Sequence, residues 1–566
     1  MGPLKSLIPQ GLIRPFATAL LICLFAPPSP RAQVVESWAA RYHGPTNGTD
    51  ASTGIAVDKS GNVYVTGWSM SAESRAEDYV TIKYSSSGDS LWLRSYNGTG
   101  DSTDSANATA TDPDGNVCVT GGSLGNGSDF DFLTIKYDPG GDTVWTRRYN
   151  GNRNGKDIAH AMAIDEWGNI YVAGESEVGS SPDSIFENYF IIKYTSSGET
   201  EWMHGFNGPA GNYDRANAIA VDHAGNVYVT GISDGGATFY DYATVWIDPS
   251  GFFQGVWRYN GPGNGDDEAS AVVVDNLGYV YVTGKAFDAG SGMDFTTIRY
   301  TETGQEEWIS VYNGVANGSD EAIDLVVDAA GNLFVTGKSY GGLVTHFDYL
   351  TIRYNSAGDT VWTRPFDGPA AGADAPASIV LDTSGNVYVT GYSSGTLTSR
   401  DYTTIKYSSV GELEWEISYT NSGSAGGADV PAECALDSKG SIYVTGVSSL
   451  DYAVVKYVQT LTGLMESQGD TPDELFRLET FPNPFNAASN IVFHLPTSHA
   501  RNQSASPISL TICDLLGRTV ARLVNEEIAP GDYRITWDAS DQASGVYFCR
   551  LSTPGGVLAR KLVIVR

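Results

Sequence analysis

The sequence predicts an all-β protein, made of an eight-bladed β-propeller closed by its N-terminal strand and a small C-terminal Ig-like β-sandwich. Three observations indicate this fold class. A strand motif, Gly-Asn-Val-Tyr-Val-Thr-Gly in its commonest form, returns eight times at intervals of 53 to 57 residues. Three further strand patterns accompany seven of the copies and two accompany the eighth, with turn residues between them. The composition, with 65 glycines and 32 tyrosines, also suits many short strands joined by tight turns.

Length and charge limit the possible functions. The chain has 566 residues, which is too long for one ordinary core and favours a large repetitive body or several domains. Its formal net charge is -32. Binding to phosphate groups needs clusters of Lys and Arg that this sequence lacks. We therefore expect no nucleic-acid partner and no attraction to anionic lipid.

The N-terminal residues 1–32 read as a secretory signal peptide. Lys5 and Arg14 precede an apolar run of about ten residues, 16–25, and a small residue, Ala32, follows a proline-rich stretch. A membrane-spanning helix needs about twenty apolar residues, so this run is too short to span. We expect the mature protein to be exported, with no transmembrane segment.

The five cysteines do not form a disulfide framework. Cys23 leaves with the signal peptide, and Cys118 and Cys434 fall in different repeats. Cys513 and Cys549 lie on C-terminal strands and could pair, or both could be buried free thiols.

The repeated motif defines eight units, of which the first seven have four strand patterns and the eighth has three. A strand ending in Asp comes first, the glycine-flanked motif second, a strand such as Asp78–Tyr84 third, and a tryptophan-centred strand fourth. Four short strands in roughly fifty residues describe a propeller blade. The eight motif copies begin at Gly61, Gly115, Gly168, Gly225, Gly278, Gly331, Gly385 and Gly440.

The turns between these strands follow one rule. The first strand always ends in Asp-x-x-Gly, as in Asp58 to Gly61. The Asp can accept backbone N–H groups of the turn, and the Gly can adopt the positive φ that such a hairpin requires. The third strand ends in a second tight hairpin, as in Tyr84 to Gly88.

The strand count predicts how the propeller closes. Units one to seven each contain a tryptophan strand, whereas unit eight ends at Tyr457 without one. An unpaired tryptophan strand around Trp38 precedes unit one. We therefore expect this N-terminal strand to complete the last blade of a propeller spanning residues 33–458, which protects exposed strand edges.

These repeats resemble the bacterial SBBP beta-propeller repeat, whose signature is a strand ending in Asp and then x-x-Gly-Asn-x-Tyr-Val-Thr-Gly. The resemblance covers about residues 35 to 458. It implies the propeller fold and implies no particular chemistry.

After a polar linker at 459–478, alternating apolar residues and turn clusters predict a small antiparallel β-sandwich at 479–566. The tail opens with Phe481-Pro-Asn-Pro-Phe-Asn486, continues with Asp514-Leu-Leu-Gly-Arg518 and ends with Lys561-Leu-Val-Ile-Val-Arg566. With these motifs it resembles the type A C-terminal sorting domain of the type IX (Por) secretion system. The resemblance implies export to the outer cell surface or the medium, with the outer-membrane machinery of that system as a partner. The alternative is an ordinary Ig-like accessory module. The residues that match the sorting motif include Phe481, Pro482, Asn483, Pro484, Phe485, Asp514, Gly517, Gly545 and Lys561.

One short stretch, Gly391-Tyr-Ser-Ser-Gly395, has the pattern of a serine hydrolase nucleophile elbow. Seven of the eight units carry a serine at the position of Ser393, and a strand rather than a helix follows it. A nucleophile is needed once, whereas a turn-stabilising hydroxyl is needed in every blade. We therefore predict no catalytic role for Ser393.

Metal sites are also not predicted. The seven histidines show no pair at metal-ligand spacing, and Asp112-Pro-Asp114-Gly115 is only a fragment of a calcium loop. A second Asp recurs eight residues before each turn Asp, and we interpret it as a cap for the first strand, with a cation-binding ring of carboxylates as the alternative. These residues are Asp50, Asp104, Asp157, Asp214, Asp267, Asp320, Asp374 and Asp429.

The blades differ most in the loop between their second and third strands. Between the two strand motifs this segment holds 10, 9, 13, 9, 9, 10, 9 and 4 residues in units one to eight. Binding residues concentrate on variable loops carried by a rigid scaffold. Aromatic side chains in or beside these loops could stack on sugars or anchor a protein, or they could pack locally. These candidate ligand-binding residues are Trp68, Tyr240, Tyr340 and Tyr392.

The sequence therefore predicts a monomeric secreted or surface propeller that acts as a binding or scaffold module for an unknown extracellular protein or glycan. It predicts no cofactor, metal or catalytic residue. The alternative is an extracellular propeller enzyme acting on polysaccharide, a glycosidase or lyase. A carboxylate pair found in only one or two blades near the channel would favour this enzyme, and Asp234 and Glu177 are the nearest candidates.

Overall fold

The computed structural model divides into two compact units. Ala32–Thr460 is the repeat domain. The described residues of the second unit are Leu461, which ends the last repeat strand, and those of the C-terminal domain from Arg477 onward. Residues 1–31 of the predicted signal peptide and 462–476 of the predicted linker lie outside the described residues. The structure describes residues 32–46, 48–72, 76–181, 184–342, 346–370, 372–395, 399–421, 427–461, 477–481, 488–495, 506–514, 518–529, 531–540, 542–553 and 556–565.

The described residues of both units form strands and turns, without a helix. The strands that begin in the repeat domain are β1 Ala32–Tyr42, β2 Asp50–Val57, β3 Val63–Met70, β4 Glu77–Tyr84, β5 Ser90–Tyr96, β6 Asp104–Thr111, β7 Val117–Leu124, β8 Phe130–Tyr137, β9 Thr143–Tyr149, β10 Asp157–Ile164, β11 Ile170–Ser181, β12 Ser184–Tyr194, β13 Thr200–Phe206, β14 Asp214–Val221, β15 Val227–Asp234, β16 Tyr240–Ile247, β17 Phe253–Tyr259, β18 Glu268–Val274, β19 Val280–Asp288, β20 Gly292–Tyr300, β21 Glu306–Tyr312, β22 Asp320–Val327, β23 Leu333–Gly342, β24 His346–Tyr354, β25 Thr360–Phe366, β26 Ala375–Leu381, β27 Val387–Ser394, β28 Arg400–Tyr407, β29 Leu413–Tyr419, β30 Asp429–Leu436, β31 Ile442–Ser448 and β32 Asp451–Leu461. The C-terminal strands are β33 Arg477–Phe481, β34 Ala488–Leu495, β35 Ser506–Cys513, β36 Thr519–Ile528, β37 Gly531–Asp538, β38 Gly545–Thr553 and β39 Gly556–Ile564.

The repeat domain is built of four-stranded sheets, as a β-propeller is. In the described residues, sheets 1 to 7 each contain four consecutive strands, beginning with β2, β6, β10, β14, β18, β22 and β26. Sheet 8 has the order β1-β32-β31-β30, so its outer strand comes from the N-terminus. The first strands of successive sheets contact each other, and β30 contacts β2.

The hairpin between the first and second strands has the predicted geometry. In sheet 1, Asp58 Oδ1 accepts the backbone N–H groups of Ser60 and Asn62, both at 2.9 Å. Gly61 has a φ of +81°, and the equivalent glycine has a positive φ in all eight sheets. The expectation for this turn is therefore confirmed.

In seven of the eight described sheets of the repeat domain, a tryptophan on the outer strand packs against the second hairpin of the next sheet. We call this the tryptophan–turn contact. A Cβ atom placed on Gly88 would lie 2.7 Å from the Trp38 ring, so the ring rests directly on the glycine backbone. The same contact recurs with the pairs Trp92–Gly141, Trp145–Gly198, Trp202–Gly251, Trp257–Gly304, Trp308–Gly358 and Trp362–Gly411.

Hydrogen bonds reinforce this contact at one carbonyl of the same turn. The Trp38 indole and the Lys456 ammonium both donate to the Ser86 carbonyl, at 3.1 and 2.9 Å. Trp92 and Lys83 donate in the same way to Pro139 of sheet 2. A turn carbonyl that accepts both donors fixes the outer strand to the neighbouring sheet at these two turns.

Buried tyrosines of the third strands provide a second link between sheets. The hydroxyl of Tyr189 donates to the carbonyl of Ala243 in sheet 4, at 2.9 Å. Tyr452 of sheet 8 donates to Val80 of sheet 1, at 3.3 Å. Both tyrosine side chains are fully buried.

The segments between second and third strands are shorter than the sequence suggested, because both strands continue into them. In sheet 3, where 13 loop residues were expected from the sequence, β11 reaches Ser181 and β12 begins at Ser184. In sheet 8 only Ser449 and Leu450 join the strands, and both have positive φ. Backbone pairing thus extends these hairpins beyond the strand motifs.

The C-terminal domain contains two antiparallel sheets around one core. The sheet orders are β33-β34-β37 and β36-β35-β38-β39. Phe493 and Trp537 of the first sheet and Leu510, Leu551 and Leu562 of the second belong to a single buried cluster.

The cysteines of this domain are free thiols, as are Cys118 and Cys434. Cys549 pairs in register with Ile512, so it is offset by one residue from Cys513. Side chains one position apart point to opposite faces of a sheet. Cys549 is therefore buried in the core, where burial raises the pKa of its thiol to about 12, and Cys513 lies on the other face.

We predict that Gly88→Ala destabilises the repeat domain by about 2–4 kcal/mol, because it adds strain at a positive φ to a collision with Trp38. Two alanine variants separate these causes. Gly440 also has a positive φ but open space around it, so its variant should lose only about 1 kcal/mol. Gly255 has neither restraint, so its variant should be neutral. Urea unfolding of the three variants tests this, and equal losses for Gly88→Ala and Gly440→Ala would contradict a role for the tryptophan contact.

Candidate functional site

The candidate site is the loop end of the repeat domain, where the second strand of each sheet turns into the third. The connections between successive sheets emerge at the same end, because the strands alternate in direction. Contacts join the two kinds of segment: Asp129 N–H donates to the Asn154 carbonyl at 3.0 Å, and Asp267 N–H donates to the Tyr240 carbonyl at 2.6 Å.

A buried aspartate at the start of each first strand organises these connections. Asp50 accepts the backbone N–H of Gly44 at 2.7 Å and the hydroxyl of Ser69 at 2.5 Å. Asp157 accepts the N–H of Gly151 at 2.6 Å and the Ser176 hydroxyl. Such bonds fit the predicted capping role. Burial nevertheless raises the pKa of Asp157, and likewise of Asp267, to about 6.

Ser393 takes part in this capping arrangement. It is buried, with 1% of its surface exposed, and its hydroxyl faces Asp374. Strand β27 continues through Ser394 and pairs with β28, so no helix follows as a nucleophile elbow requires.

Trp68 and Tyr392 occupy the same position in sheets 1 and 7, directly after the last glycine of the repeated motif. Both lie inside second strands, two residues before the strand ends, and both are half-buried. The guanidinium of Arg400 lies 4.2 Å from the centre of the Tyr392 ring, which is a cation–π contact.

Tyr240 and Tyr340 lie at the loops of sheets 4 and 6. Tyr240 begins β16, and its ring meets the ring of Tyr213 edge-on at 5.8 Å. Tyr340 lies in β23 and meets Phe347 at 5.5 Å. The structure therefore distributes the four predicted aromatic residues over four sheets. Their role in ligand binding remains a prediction.

Sheets 3 to 6 carry charged residues at the place that Trp68 occupies in sheet 1. The charge is either on the second strand, at the position equivalent to Trp68, or on the first-strand residue that pairs with this position. Arg215 bonds Glu268 at 2.8 Å, Lys285 lies 3.3 Å from Glu268, and Lys285 also lies 3.6 Å from Glu321. Each pair bridges neighbouring sheets or strands. The loop end thus has a charged half in sheets 3 to 6 and an apolar or aromatic part at this position in sheets 7, 8 and 1.

A buried glutamate ends this charged network in sheet 3. Glu175 contacts Lys156 and lies 3.5 Å from His160. Burial raises the pKa of Glu175, but the hydrogen bonds and charges of His160 and Lys156 outweigh it and lower this pKa to about 2.

Side-chain hydrogen bonds also link the first strands of neighbouring sheets, and the residue that makes this bond differs between the early and the late sheets. In sheets 1, 2, 4 and 5 the third residue after the capping Asp donates to a carbonyl of the next first strand; for example, Asn107 donates to Ala159 at 2.8 Å. In sheets 6 to 8 this residue is apolar, and the following residue is polar instead. These polar residues are Asp324, Ser378 and Glu433.

The two carboxylates accept backbone N–H groups of the next first strand. Asp324 accepts the N–H of Ile379 at 3.0 Å, and Glu433 accepts that of Ile55 at 2.8 Å. Between them the Cys434 thiol lies 3.6 Å from the Ser378 hydroxyl. Burial raises the pKa of Asp324 to about 6 and that of Glu433 to about 8, and Asp324 contributes to the second shift.

Sequence reasoning missed this pair, although an alignment of the eight repeats would have found it. The same position holds Gly54 in sheet 1 and alanine in sheets 2 to 5. The two carboxylates that the sequence suggested for an enzyme, Asp234 and Glu177, instead stabilise loops. Asp234 bonds Asn212 and the N–H of Gly236, and Glu177 lies 3.6 Å from Arg153.

Two groups of three side chains among the described residues could hold a metal ion, with ligand atoms within 4.8 Å of one another. They lie at two connections where a histidine or an aspartate replaces the usual asparagine. In each group the capping Asp already accepts a backbone N–H, so a cation would compete with that bond. The groups are His43, Asp50 and Asp451, and Asp348, Asp367 and Asp374.

The residues predicted for sorting lie around the C-terminal domain. Asp514 accepts hydrogen bonds from the N–H and the guanidinium of Arg518, at 2.9 and 2.7 Å. Phe481 ends β33, Gly545 begins β38 and Lys561 lies in β39. Pro482, Asn483, Pro484, Phe485 and Gly517 lie outside the described residues.

Family comparisons identify both parts of the chain. Residues 479–565 match the secretion system C-terminal sorting domain. Residues 40–72, 144–179 and 368–397 match the beta-propeller repeat of the SBBP type. The resemblance inferred from the sequence is thus confirmed. The sorting domain directs export through the type IX secretion system to the cell surface or the extracellular space. No curated protein matches the chain.

Several solved structures are similar to the chain at a low level. PorZ, a bacterial surface component of the type-IX secretion system of Porphyromonas gingivalis, has 12% identity and a TM-score of 0.27, covering 91% of this chain and 81% of its own. The polysaccharide lyase Uly1 has 12% identity and a TM-score of 0.37, covering 72% and 89%. The β-propeller domain of the Trilobed protease from Pyrococcus furiosus has 8% identity and a TM-score of 0.37, covering 63% and 96%. These values carry no argument about function.

No helix among the described residues is long and apolar enough to cross a membrane.

We predict that Glu433→Gln removes a pH dependence of stability. The pKa of Glu433 is raised from 4.5 to about 8 in the folded state. Unfolding therefore releases a proton between these values, and this part of the stability falls as pH rises from about 4.5 to 8. Glutamine keeps an acceptor for Ile55, so the variant should be more stable at pH 8 by about 1–3 kcal/mol. Urea unfolding at pH 5 and pH 8 measures this.

The matched control is Glu166→Gln, at an exposed turn between β10 and β11. It should leave the pH profile unchanged. A Glu433→Gln profile parallel to that of the wild type would show that the carboxyl is ionised in the folded protein.

Proposed function

We propose that this chain, which carries β-propeller repeats and a C-terminal type IX sorting domain, is a secreted or surface-displayed binding protein. Its loop end binds an extracellular protein or glycan, and the rest of the repeat domain is the scaffold. In this proposal the chain acts as a monomer, and the outer-membrane machinery of the secretion system binds residues of the sorting domain.

The proposal includes an architecture of eight blades closed by the N-terminal strand. The sheet order β1-β32-β31-β30 supports it, as do the contact of Trp38 with Gly88 and the bond from Tyr452 to Val80. We further propose domain boundaries at 33–458 and 479–566, with an Ig-like sandwich in the second domain. The single core shared by its two sheets supports the sandwich.

The observation that carries the binding function is the contrast between the two ends of the sheets. The first hairpin repeats its Asp-x-x-Gly turn eight times without exception. At the loop end, equivalent positions hold Trp68 and Tyr392 in two sheets but Lys285 and Lys338 in two others. A scaffold keeps uniform turns, whereas a specific ligand requires a surface that differs around the ring.

An enzyme acting on polysaccharide is the second candidate, and the Asp324–Glu433 pair favours it. The pair belongs to only two of the eight sheets, and burial raises the pKa values of its members to about 6 and 8. A carboxyl that stays protonated near neutral pH is suited to general acid catalysis, with a more acidic partner as base or nucleophile. Both carboxylates also accept backbone N–H groups of the next first strand, and a purely structural role explains their presence equally well.

We predict that a glycan and surface-protein array reveals a ligand and that Tyr392→Ala weakens its binding about tenfold, because an aromatic contact is lost. Tyr388→Phe, at a buried tyrosine of the same strand, is the control and should bind as the wild type does. A polysaccharide hydrolase and lyase panel runs alongside. If the panel detects turnover in the wild type and a folded Glu433→Gln variant has lost it, the enzymatic function replaces the binding function.

We predict that deleting residues 479–566 abolishes secretion in the native host, because the translocon loses its recognition domain. Immunoblots of periplasm, outer membrane and medium measure the location of the repeat domain. Lys439→Ala, at an exposed turn of the repeat domain, is the control and should be exported normally. Unchanged secretion of the truncated chain would overturn the sorting role.

A further inference from the structure

The loop of sheet 4 contains a phenylalanine whose side chain is exposed to solvent and whose backbone has an unfavourable conformation. Phe239 has a φ of +58°, and 62% of its surface is exposed. A bulky residue in this left-handed region is a genuine outlier, because its Cβ crowds the backbone. Neither burial nor a turn preference accounts for this residue, and strain of this kind concentrates at binding and active sites.

Hydrogen bonds define the conformation of this loop. The Gly235 N–H donates to the Phe239 carbonyl at 2.6 Å, and the Gly236 N–H donates to Asp234 at 2.7 Å. Thr238 donates to Asp241 at 3.0 Å, and Arg258 anchors the same carboxylate at 2.8 Å. The exposed ring is therefore presented by a fixed loop.

The loop of sheet 2 provides an internal comparison. Its Gly125 N–H donates to the Asp129 carbonyl, Ser128 donates to Asp131, and Arg148 anchors Asp131. Asp129 occupies the position of Phe239, and there the left-handed residue is Gly127. The same hydrogen bonds thus form without a phenylalanine and without its strain, so the scaffold does not require either.

The surroundings of Phe239 show what such a ring would contact. Tyr240 follows it and meets the ring of Tyr213 edge-on. Asn212 donates to Asp234 at 2.8 Å beside the loop, and Asp234 and Asp266 both act electrostatically on Tyr240. Tyr240, the residue that follows the exposed ring, is therefore surrounded by carboxylate groups, and an amide is bonded to one of them.

This arrangement favours one class of ligand. Carboxylates accept hydrogen bonds from sugar hydroxyls, while the C–H face of a pyranose packs on an aromatic ring. An anionic glycan would meet Asp234 and Asp266 in a protein of net charge -32. A protein partner needs roughly 800 Å² of surface on each side, whereas the exposed neighbours Gly236, Ala237 and Asn212 extend no apolar patch around the ring.

We propose that Phe239, Tyr240 and Tyr213 form a subsite for a pyranose of a neutral glycan, oriented by Asp234, Asp266 and Asn212. This proposal rests on the proposed binding function and specifies its ligand class and one place on the loop end. Phe239 is a specificity residue that the sequence analysis did not include.

The test is calorimetry of the purified secreted protein with neutral hexasaccharides, namely cellohexaose, mannohexaose and xylohexaose, and with acidic hexagalacturonate. We expect binding of a neutral hexasaccharide, about tenfold weaker in Phe239→Ala. Phe239→Gly should bind as weakly while its Tm stays at or above that of the wild type, because glycine accepts the positive φ. Phe252→Ala, at a phenylalanine that is 69% exposed in a hairpin turn, is the control and should bind normally.

Three outcomes would overturn the proposal. One is the absence of binding to every neutral hexasaccharide, and another is neutral-glycan binding that Phe239→Ala leaves unchanged. The third is Phe239-dependent binding of hexagalacturonate or of an arrayed protein instead, which would contradict the ligand class. In the second and third cases the binding function survives, whereas a protein that binds nothing on any array fails both proposals.

Discussion

The repeat domain depends on the contact between a tryptophan and the hairpin of the next sheet. A flat indole can rest on a glycine backbone but not on a Cβ atom, so each turn needs glycine for its positive φ and for its missing side chain. The buried lysines donate to the same turn carbonyl as the indoles. This one constraint explains why tryptophan, glycine and lysine recur together in the repeats.

That constraint acts on the outer strands and on the hairpin turns, and it leaves the loop end free to change. The buried aspartates fix only where each connection enters a first strand. Beyond this point, neighbouring sheets carry aromatic rings, ion pairs or a strained phenylalanine at comparable places. A regular scaffold and an irregular surface thus follow from the same repeat.

The repeated features could be predicted from the sequence because each one appears many times. The strands, the glycine turns and the capping role of the aspartates follow from residue types at fixed spacing. Asp324 and Glu433 occur once each, and their importance comes from their half-buried position beside the next first strand, where they accept its N–H groups, which spacing does not show. The φ of Phe239 depends on the path of a whole loop, and the loop lengths depend on how far pairing continues between two strands.

The pairing of the first strand with the last one affects how the chain can fold. Arg41 on β1 bonds Asp451, which is 410 residues further along the chain. Sheet 8 therefore cannot be complete until almost the entire repeat domain has emerged, and loop closure over so many residues is slow. Until these two ends of the repeat domain pair, the edge of β32 that receives β1 has no strand beside it.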